Sequence, residues 1–439
     1  MNYQEAVDYL DAHIGQGMRP GLDRIRGLAE MMGDPQLAYP VIHITGSNGK
    51  TSTSRMITSL LVAHGLRVGT FTSPHLEKIE ERFSLDGVPA TPGEFAQAVA
   101  DIRPFVELYE ERTGATPTYF ELTAALAFSF FATNAVDVAV IEVGLGGRLD
   151  ATNAVDGKVA VITGIALEHT AWLGNSLEEI AAEKLAIAKE SSRLVTGRLP
   201  ESILEQASEH AKELGISHRR LGAEFHPEFV TMAVGGWAGS ISGIYETYED
   251  LYLPLHGKFQ FDNLAVAVAA VEELTGRSLD PEAVRAGVAA VTSPGRMEVI
   301  GRRPLILLDG AHNPQACELL AEAIDTEFFQ TEWVLVVGAM GDKDLEAMLR
   351  QFEGQVVSVV ATSVDYERAV PAEAVAKVAA EVFDVPVESV PGVPPALEAA
   401  RRLAGRDGSI LVTGSLYVVG EARSALMGSP GGGINSTNP

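Results

Sequence analysis

The 439-residue sequence contains one cysteine, Cys317, so no internal disulfide can form and a reducing compartment is the natural fit. Cys317 itself reads as a small buried hydrophobe. Positive charge is scarce: 33 Lys and Arg face 59 Asp and Glu, leaving a net charge of −26. That balance opposes nucleic acid and anionic membranes, and points to small-molecule partners with metal ions offsetting charge at the site. Long hydrophobic runs are absent too. The longest, residues 122–136, is broken by Thr, Ser and Asn and stops at Asp137, short of the roughly 20 residues a membrane span needs. It reads as a core helix. The first residues hold no basic stretch followed by an apolar one, so no secretory signal is expected and the expected location is cytoplasmic. No internal repeat is found, and the length suits two domains, each able to bury its own core.

What is present is concentrated in Val41-Ile-His-Ile-Thr-Gly-Ser-Asn-Gly-Lys-Thr-Ser52, an apolar run, a glycine turn and a Lys-Thr pair before a helical pattern. Backbone N–H groups in such a turn point at phosphate oxygens, Lys50 brings a mobile positive charge and Thr51 a hydroxyl for Mg²⁺. ATP is therefore the expected ligand. The strict phosphate-loop pattern wants glycine where Ile44 stands, with Gly46 nearer the lysine.

From residue 41 to about 170, strand-like runs (41–45, 68–72, 138–143, 159–165) alternate with helical patterns (51–64, 121–134). Such alternation means βαβ units and a mostly parallel sheet. Ligands collect beyond the carboxyl ends of such strands. Those ends hold Gly46 to Thr51, Ser73-Pro-His75, Glu142 to Arg148 and Glu168-His169. Residues 220–256 lack helical period and suggest short strands before a helix at about 260–275. Thr292-Ser-Pro-Gly295 reads as an interdomain turn, and a second series follows: strands 304–309, 333–338, 356–361 and 409–413, with helices 315–328, 344–352, 371–382 and 394–404. The expected division is an ATP-binding domain over 1–295, a smaller Rossmann-like α/β domain over 296–427 and a disordered tail, 428–439.

Glu142 lies in the apolar run 138–144, where an unpaired carboxylate is costly, so Arg148 or a metal ion must meet it. With Ser73 and Thr51 it makes a hard-oxygen set suited to Mg²⁺. The loop 144–149 fails as a dinucleotide fingerprint, because the third glycine position falls on Leu149. His169 precedes the capping box Ser176-Leu-Glu-Glu179 and is either structural or a second metal ligand. Lys184 projects from an apolar stripe of Ile180, Ala181, Ile187 and Ala188 with no acidic partner in helical reach. Spacing alone favours snorkelling to solvent over a buried, nucleophilic amine. Asp309 ends a strand in position to accept from a ribose hydroxyl, and Arg296 sits where domain closure brings it to phosphate; position alone decides neither.

Together these residues resemble the Mur ligase superfamily, in its folylpolyglutamate synthase/dihydrofolate synthase branch. The resemblance runs from about residue 20 to 423 through Thr45-Gly-Ser-Asn-Gly-Lys50, Thr72-Ser-Pro-His-Leu76, Thr118-Tyr-Phe-Glu121, Glu142-Val-Gly-Leu-Gly-Gly-Arg-Leu-Asp-Ala-Thr-Asn153, Glu168-His-Thr170, Glu183-Lys184, Pro294-Gly-Arg296, Leu308-Asp-Gly-Ala-His-Asn-Pro314 and Gly414-Ser-Leu-Tyr417. It implies that ATP phosphorylates a carboxylate of dihydropteroate or a folate, and that the amino group of L-glutamate then displaces phosphate. By the same resemblance Ser47, Asn48, Gly49 and Lys50 hold ATP phosphates, and Thr51, Ser73 and Glu142 hold a first Mg²⁺. His169 and an N6-carboxylated Lys184 hold a second, which inverts the snorkelling expectation. Asn263, Arg296 and Asp309 contact ATP, and His312 and Ser415 glutamate. Thr118, Tyr119, Phe120, Glu121, Leu149, Asp150 and Ala151 surround the pterin. A monomer is expected. Two positions depart from the family pattern: Thr51 is often glycine in folate members, and the usual Glu-Lys-Ala-Gly-Ile is Glu183-Lys-Leu-Ala-Ile187. The runner-up is a Mur-type ligase acting on another carboxylate. A nucleotide-binding regulator is disfavoured by the presence of Lys50, Glu142, His169 and Lys184.

Overall fold

The computed structural model describes residues 1–439 except Met18, Gln330 and 429–439. All of the expected tail but Gly428 lies outside the described residues.

Val41–Thr45, Val138–Glu142 and Gly157–Ile162 are apolar nearly throughout, the composition of strands covered on both faces, and they form the centre of an eight-stranded sheet. Its order is Val88–Pro89, Phe83–Leu85, Val68–Phe71, Val138–Glu142, Val41–Thr45, Gly157–Ile162, Arg193–Thr196 and His218–Arg220. All neighbours are parallel except that Phe83–Leu85 runs antiparallel to both Val68–Phe71 and Val88–Pro89. Successive side chains alternate between faces. Ile42, Ile44, Val138 and Val140 pack with the helices Lys50–Ala63, Phe259–Thr275 and Pro281–Ala289, whereas Val41, Ala139 and Ile141 pack with Pro92–Thr113 and Tyr119–Thr133.

Phe259–Thr275 is apolar around most of its circumference because both sides are covered. One side meets the large sheet. The other meets the expected β-excursion, an antiparallel sheet of Thr247–Leu253, Gly236–Ser242 and His226–Ala233 that contributes Trp237, Ile241, Tyr248 and Leu253 to the same core.

Several elements have no counterpart in the sequence pattern. The 22-residue helix Pro92–Thr113 carries Pro104 in its interior, which costs about 3 kcal/mol. Burial of Phe95, Val99, Ile102, Val106 and Tyr109, at roughly 1.5–3 kcal/mol for each large side chain, outweighs that cost. Thr91 and Glu94 add a capping box. The core helix expected from residue 121 begins at Tyr119, because Thr118 caps it and pairs reciprocally with Glu121.

The second series forms a six-stranded sheet in the order Glu298–Arg302, Leu305–Leu308, Ser409–Thr413, Trp333–Val337, Val356–Ala361 and Val387–Ser389, with only the first pair antiparallel. Cys317 is buried on the helix Pro314–Glu327, as expected of a small hydrophobe. No helix among the described residues is long and apolar enough to cross a membrane.

His43, in the central strand Val41–Thr45, is fully buried. Thr152 Oγ1 donates to Asp150 Oδ1, so its one proton is used, and His43 Nε2–H donates to Thr152 at 3.0 Å. Burial, then Lys189, lowers His43 from 6.5 to about 3. The unfolded chain binds this proton near 6.5 while the folded protein resists it, so stability falls as the pH drops from 6.5 towards 3. His43→Gln should therefore lose less melting temperature than the parent between about pH 7 and about pH 5. Equal losses in thermal melts would contradict this.

Candidate active site

The phosphate loop turns on two glycines whose backbone angles other residues rarely adopt. A Cβ on Gly46 (φ 153°) would meet Thr163 Oγ1 at 2.0 Å, and one on Gly49 (φ 85°) would meet Asn263 Oδ1 at 2.8 Å. Gly49 offers the helix Lys50–Ala63 no side-chain cap, so the first-turn N–H groups stay available to an anion. Lys50 folds back over the loop, donating from Nζ to the Gly46 carbonyl at 2.7 Å and the Ser47 carbonyl at 3.3 Å. Glycine at position 44 is unnecessary, since Ile44 is a fully buried strand residue beside Glu142.

Glu142 ends a central strand and is 1% exposed. Thr51 Oγ1 donates to its Oε1 at 3.0 Å, while its Oε2 has no hydrogen-bond partner. Burial, the largest influence, raises this carboxyl to about 7 against the opposing pull of Lys50, Thr51, Arg296 and Arg55. Arg148 is not the counter-charge: it extends outward to Glu183 at 2.8 Å. Ser73 Oγ is likewise buried without a partner. Two orphaned oxygens and the Thr51 hydroxyl fit a hard divalent cation that keeps part of its water shell. No group of three or more His, Cys, Asp or Glu suited to a metal occurs among the described residues.

Lys184 does not snorkel. Its side chain is 2% exposed, and Nζ lies 2.9 Å from Glu168 Oε1, itself 6% exposed. Burial lowers Lys184 to about 8 although Glu168 pulls the other way. Burial alone would raise Glu168, but Lys184 and then Lys50 outweigh it and hold it below the usual carboxylate range. Glu168 is the partner of Lys184 that helical spacing missed, because it arrives from another segment 16 positions away. The departure at Leu185-Ala186 falls where the helix Leu177–Leu185 ends, and a Cβ on Gly147 would strike the Glu183 carbonyl and Ile187.

His169 sits with φ 44° at the start of the short helix Thr170–Leu173, with Nδ1 3.9 Å from Asp342 of the second sheet's unit. Burial and then Lys343 lower it to about 4, so it is a neutral imidazole at neutral pH. His312 is also lowered to about 4, mainly by burial, and its Nδ1 contacts the Gly310 carbonyl at 2.8 Å.

All of the site residues expected from the sequence line one cleft of about 1780 Å³ between the carboxyl ends of the large sheet and the second unit. Their polar atoms are not equally free. Asp309 accepts from Met297 N and Ala311 N, each at 2.8 Å; Asp150 accepts from Leu145 N, Thr152 N and Thr152 Oγ1. Glu121 is engaged by Arg24 at 2.9 Å, and Ser415 caps the helix Leu416–Met427. Asn263 donates to Gln260 at 3.0 Å. Phe120 lies against Gly144, whose added Cβ would be 2.4 Å from the ring.

A phosphate loop on the same sheet rim as a buried carboxylate, a neutral imidazole and a buried lysine, with a second α/β unit across the cleft, defines an ATP-handling ligase of the Mur type. Residues 44–271 match the Mur ligase middle domain and 295–416 the Mur ligase glutamate ligase domain. The chain is 38% identical to the Mycobacterium tuberculosis dihydrofolate synthase/folylpolyglutamate synthase, with 94% of this chain and 91% of that protein covered. It is 33% identical to the Bacillus subtilis protein of the same name, at 97% and 99%. Among solved structures, M. tuberculosis folylpolyglutamate synthase with ADP and AMPPCP superposes at a TM-score of 0.92 (37% identity; 97% and 99% covered). The Escherichia coli enzyme solved with DHPP and ADP does so at 0.87 (30% identity; 98% of each chain). The chain thus belongs to the dihydrofolate synthase/folylpolyglutamate synthase family of Mur ligases.

Proposed function

We propose that the chain joins L-glutamate in amide linkage to the carboxylate of dihydropteroate, or of a tetrahydrofolate and its glutamylated forms, through an acyl phosphate made from ATP. The observation that carries this reading is the pair of orphaned buried oxygens, Glu142 Oε2 and Ser73 Oγ, set beside an uncapped phosphate loop. Loop N–H groups and Lys50 bind and orient the triphosphate, and Arg296 approaches from the second unit. A substrate carboxylate oxygen attacks the γ-phosphorus and ADP departs. The glutamate nitrogen then bonds to the acyl carbon, loses a proton, and phosphate leaves.

Glu142, Ser73 and Thr51 would hold one Mg²⁺, and His169 with N6-carboxylated Lys184 a second. When bound, such ions screen the repulsion between γ-phosphate and carboxylate. Carboxylation joins the Lys184 amine to CO₂ with release of a proton, and the depression to about 8 brings that amine nearer its reactive neutral form than an exposed lysine. Neutral His169 has a lone pair to give. Asn263, Arg296 and Asp309 contact the nucleotide; Thr118, Tyr119, Phe120, Glu121, Leu149, Asp150 and Ala151 flank the pterin; His312 and Ser415 receive glutamate. Because Asp150 and Glu121 are already engaged, they act by shaping those loops. We also read the protein as a cytoplasmic monomer of two domains meeting near residue 295, consistent with its single buried cysteine and acidic composition.

The test omits dihydropteroate, tetrahydrofolate and glutamate in turn while phosphate and amide are both followed. Amide formation should need one pterin substrate, glutamate and ATP together. Phosphate release indifferent to every pterin would overturn the reading.

A further inference from the structure

Among the described residues, the phosphate loop makes side-chain hydrogen bonds to the second unit through Asn48. Asn313 Nδ2 donates to Asn48 Oδ1 at 3.0 Å, and Asn48 Nδ2 donates to Gln315 Oε1 at 2.9 Å, so the Asn48 amide is satisfied at both ends. Asn313 is simultaneously fixed, since its Oδ1 caps the helix Pro314–Glu327 by accepting from Ala316 N at 2.9 Å. Asn48 is fixed by its carbonyl, which accepts from Thr163 Oγ1 at 2.6 Å.

The far end of the same helix is anchored to the first unit. Glu327 accepts from Trp237 Nε1 at 3.0 Å, from the Gly257 N–H at 2.5 Å and from His256 Nδ1 at 2.7 Å. Its side chain is 2% exposed, and three donors on one buried carboxylate make a firm attachment. The 14-residue helix therefore spans roughly 21 Å between a charged anchor and a neutral amide contact on the phosphate loop. Of the helix's two attachments, the neutral amide bonds at the Asn48 end are the weaker kind.

We propose that Asn48, Asn313 and Gln315 form the latch that closes the second unit onto the phosphate loop, with Glu327 as its pivot. This makes Asn313 and Gln315 positioning residues for the reaction. Resting on the ligase reading above, their task is to keep the cleft shut between phosphoryl transfer and amine attack. An open cleft admits water, which adds to the acyl phosphate and returns the carboxylate and inorganic phosphate, with no amide formed.

The test compares full-length parent, Gln315→Ala, and Asn313→Ser/Gln315→Ala with Mg-ATP, tetrahydrofolate and glutamate. Serine keeps the helix cap but is too short to reach Asn48, and Gln315 is exposed, so folding is spared. The double variant should form roughly tenfold less amide per phosphate released, with Gln315→Ala shifted less in the same direction. Nucleotide affinity should remain that of the parent, and small-angle scattering with ADP should show a larger radius for the double variant. An amide-to-phosphate ratio and a scattering radius equal to the parent's in both variants would overturn the latch. A parent that forms no amide with any pterin overturns the ligase reading instead, and the scattering comparison then decides the latch alone.

Discussion

Replacing Lys184 by alanine should lower ligation by a factor on the order of 10²–10³, the scale on which one preorganised contact to a transferring group is felt. Part of any loss has a second source, because Glu168 is left buried 2.9 Å from where its cation stood. Breaking a buried pair by removing one partner typically costs about 3–5 kcal/mol. Chemical rescue separates the two. If Lys184 works as a carbamate, a short carboxylic acid entering the vacated space should restore part of the activity. If it works as the ammonium partner of Glu168, a small primary amine should do so and the acid should not. Labelled bicarbonate gives an independent reading, since a carbamate carbon signal should appear in the parent and vanish in Lys184→Ala. Rescue by amine alone, with no such signal, would contradict the carbamate role.

Glu142→Gln should separate activity from stability. Ligation should fall by a comparable factor, on the order of 10²–10³, because the remaining amide is a poor ligand for a hard cation. Stability of the metal-free protein should move the other way. The folded carboxyl titrates near 7 and the unfolded one near 4.5, so between these values the folded state holds a proton that the unfolded state has lost. Stability is therefore lost as the pH rises from about 4.5 to about 7, and a neutral amide in place of the Glu142 carboxyl removes that loss. Thermal melts without Mg²⁺ above pH 7 should show Glu142→Gln at least as stable as the parent, and added Mg²⁺ with nucleotide should stabilise the parent more. A variant that is both less stable without metal and fully active would contradict the assignment.

How far the chain could be read from residues alone follows from which interactions are local. The phosphate loop, the capping box at Ser176 and the apolar central strands depend on neighbours within a few positions, and each stands where the pattern placed it. The helix Pro92–Thr113 was illegible because an internal proline contradicts it locally, and only tertiary burial settles the matter. Arg148 beside Glu142 in sequence was misleading, because the turn of Gly144, Gly146 and Gly147 carries the arginine out to Glu183. Lys184 shows the same limit from the other side. Its helical neighbours are apolar, and nothing within four positions announces Glu168. Strand ends brought Gly46 to Thr51, Ser73, Glu142, His169 and Asp309 to the cleft, and the family resemblance supplied Lys184, Asn263 and the pterin and glutamate residues; which of their atoms are free was legible from neither. The carboxylates of Asp150 and Asp309 already accept from nearby backbone N–H groups and that of Glu121 pairs with Arg24, while Glu142 and Ser73 keep unpaired oxygens.

The central claim is that a pterin-linked carboxylate is activated as an acyl phosphate before glutamate attacks. It is tested most directly by placing a heavy oxygen isotope in the terminal carboxylate of tetrahydrofolate and following it through one turnover with ATP and glutamate. Attack of that carboxylate on the γ-phosphorus, then loss of phosphate from the acyl carbon, should deliver one labelled oxygen to the inorganic phosphate for each amide formed. Amide formation with unlabelled phosphate, every heavy oxygen being retained in the folate or passed to water, would contradict the account.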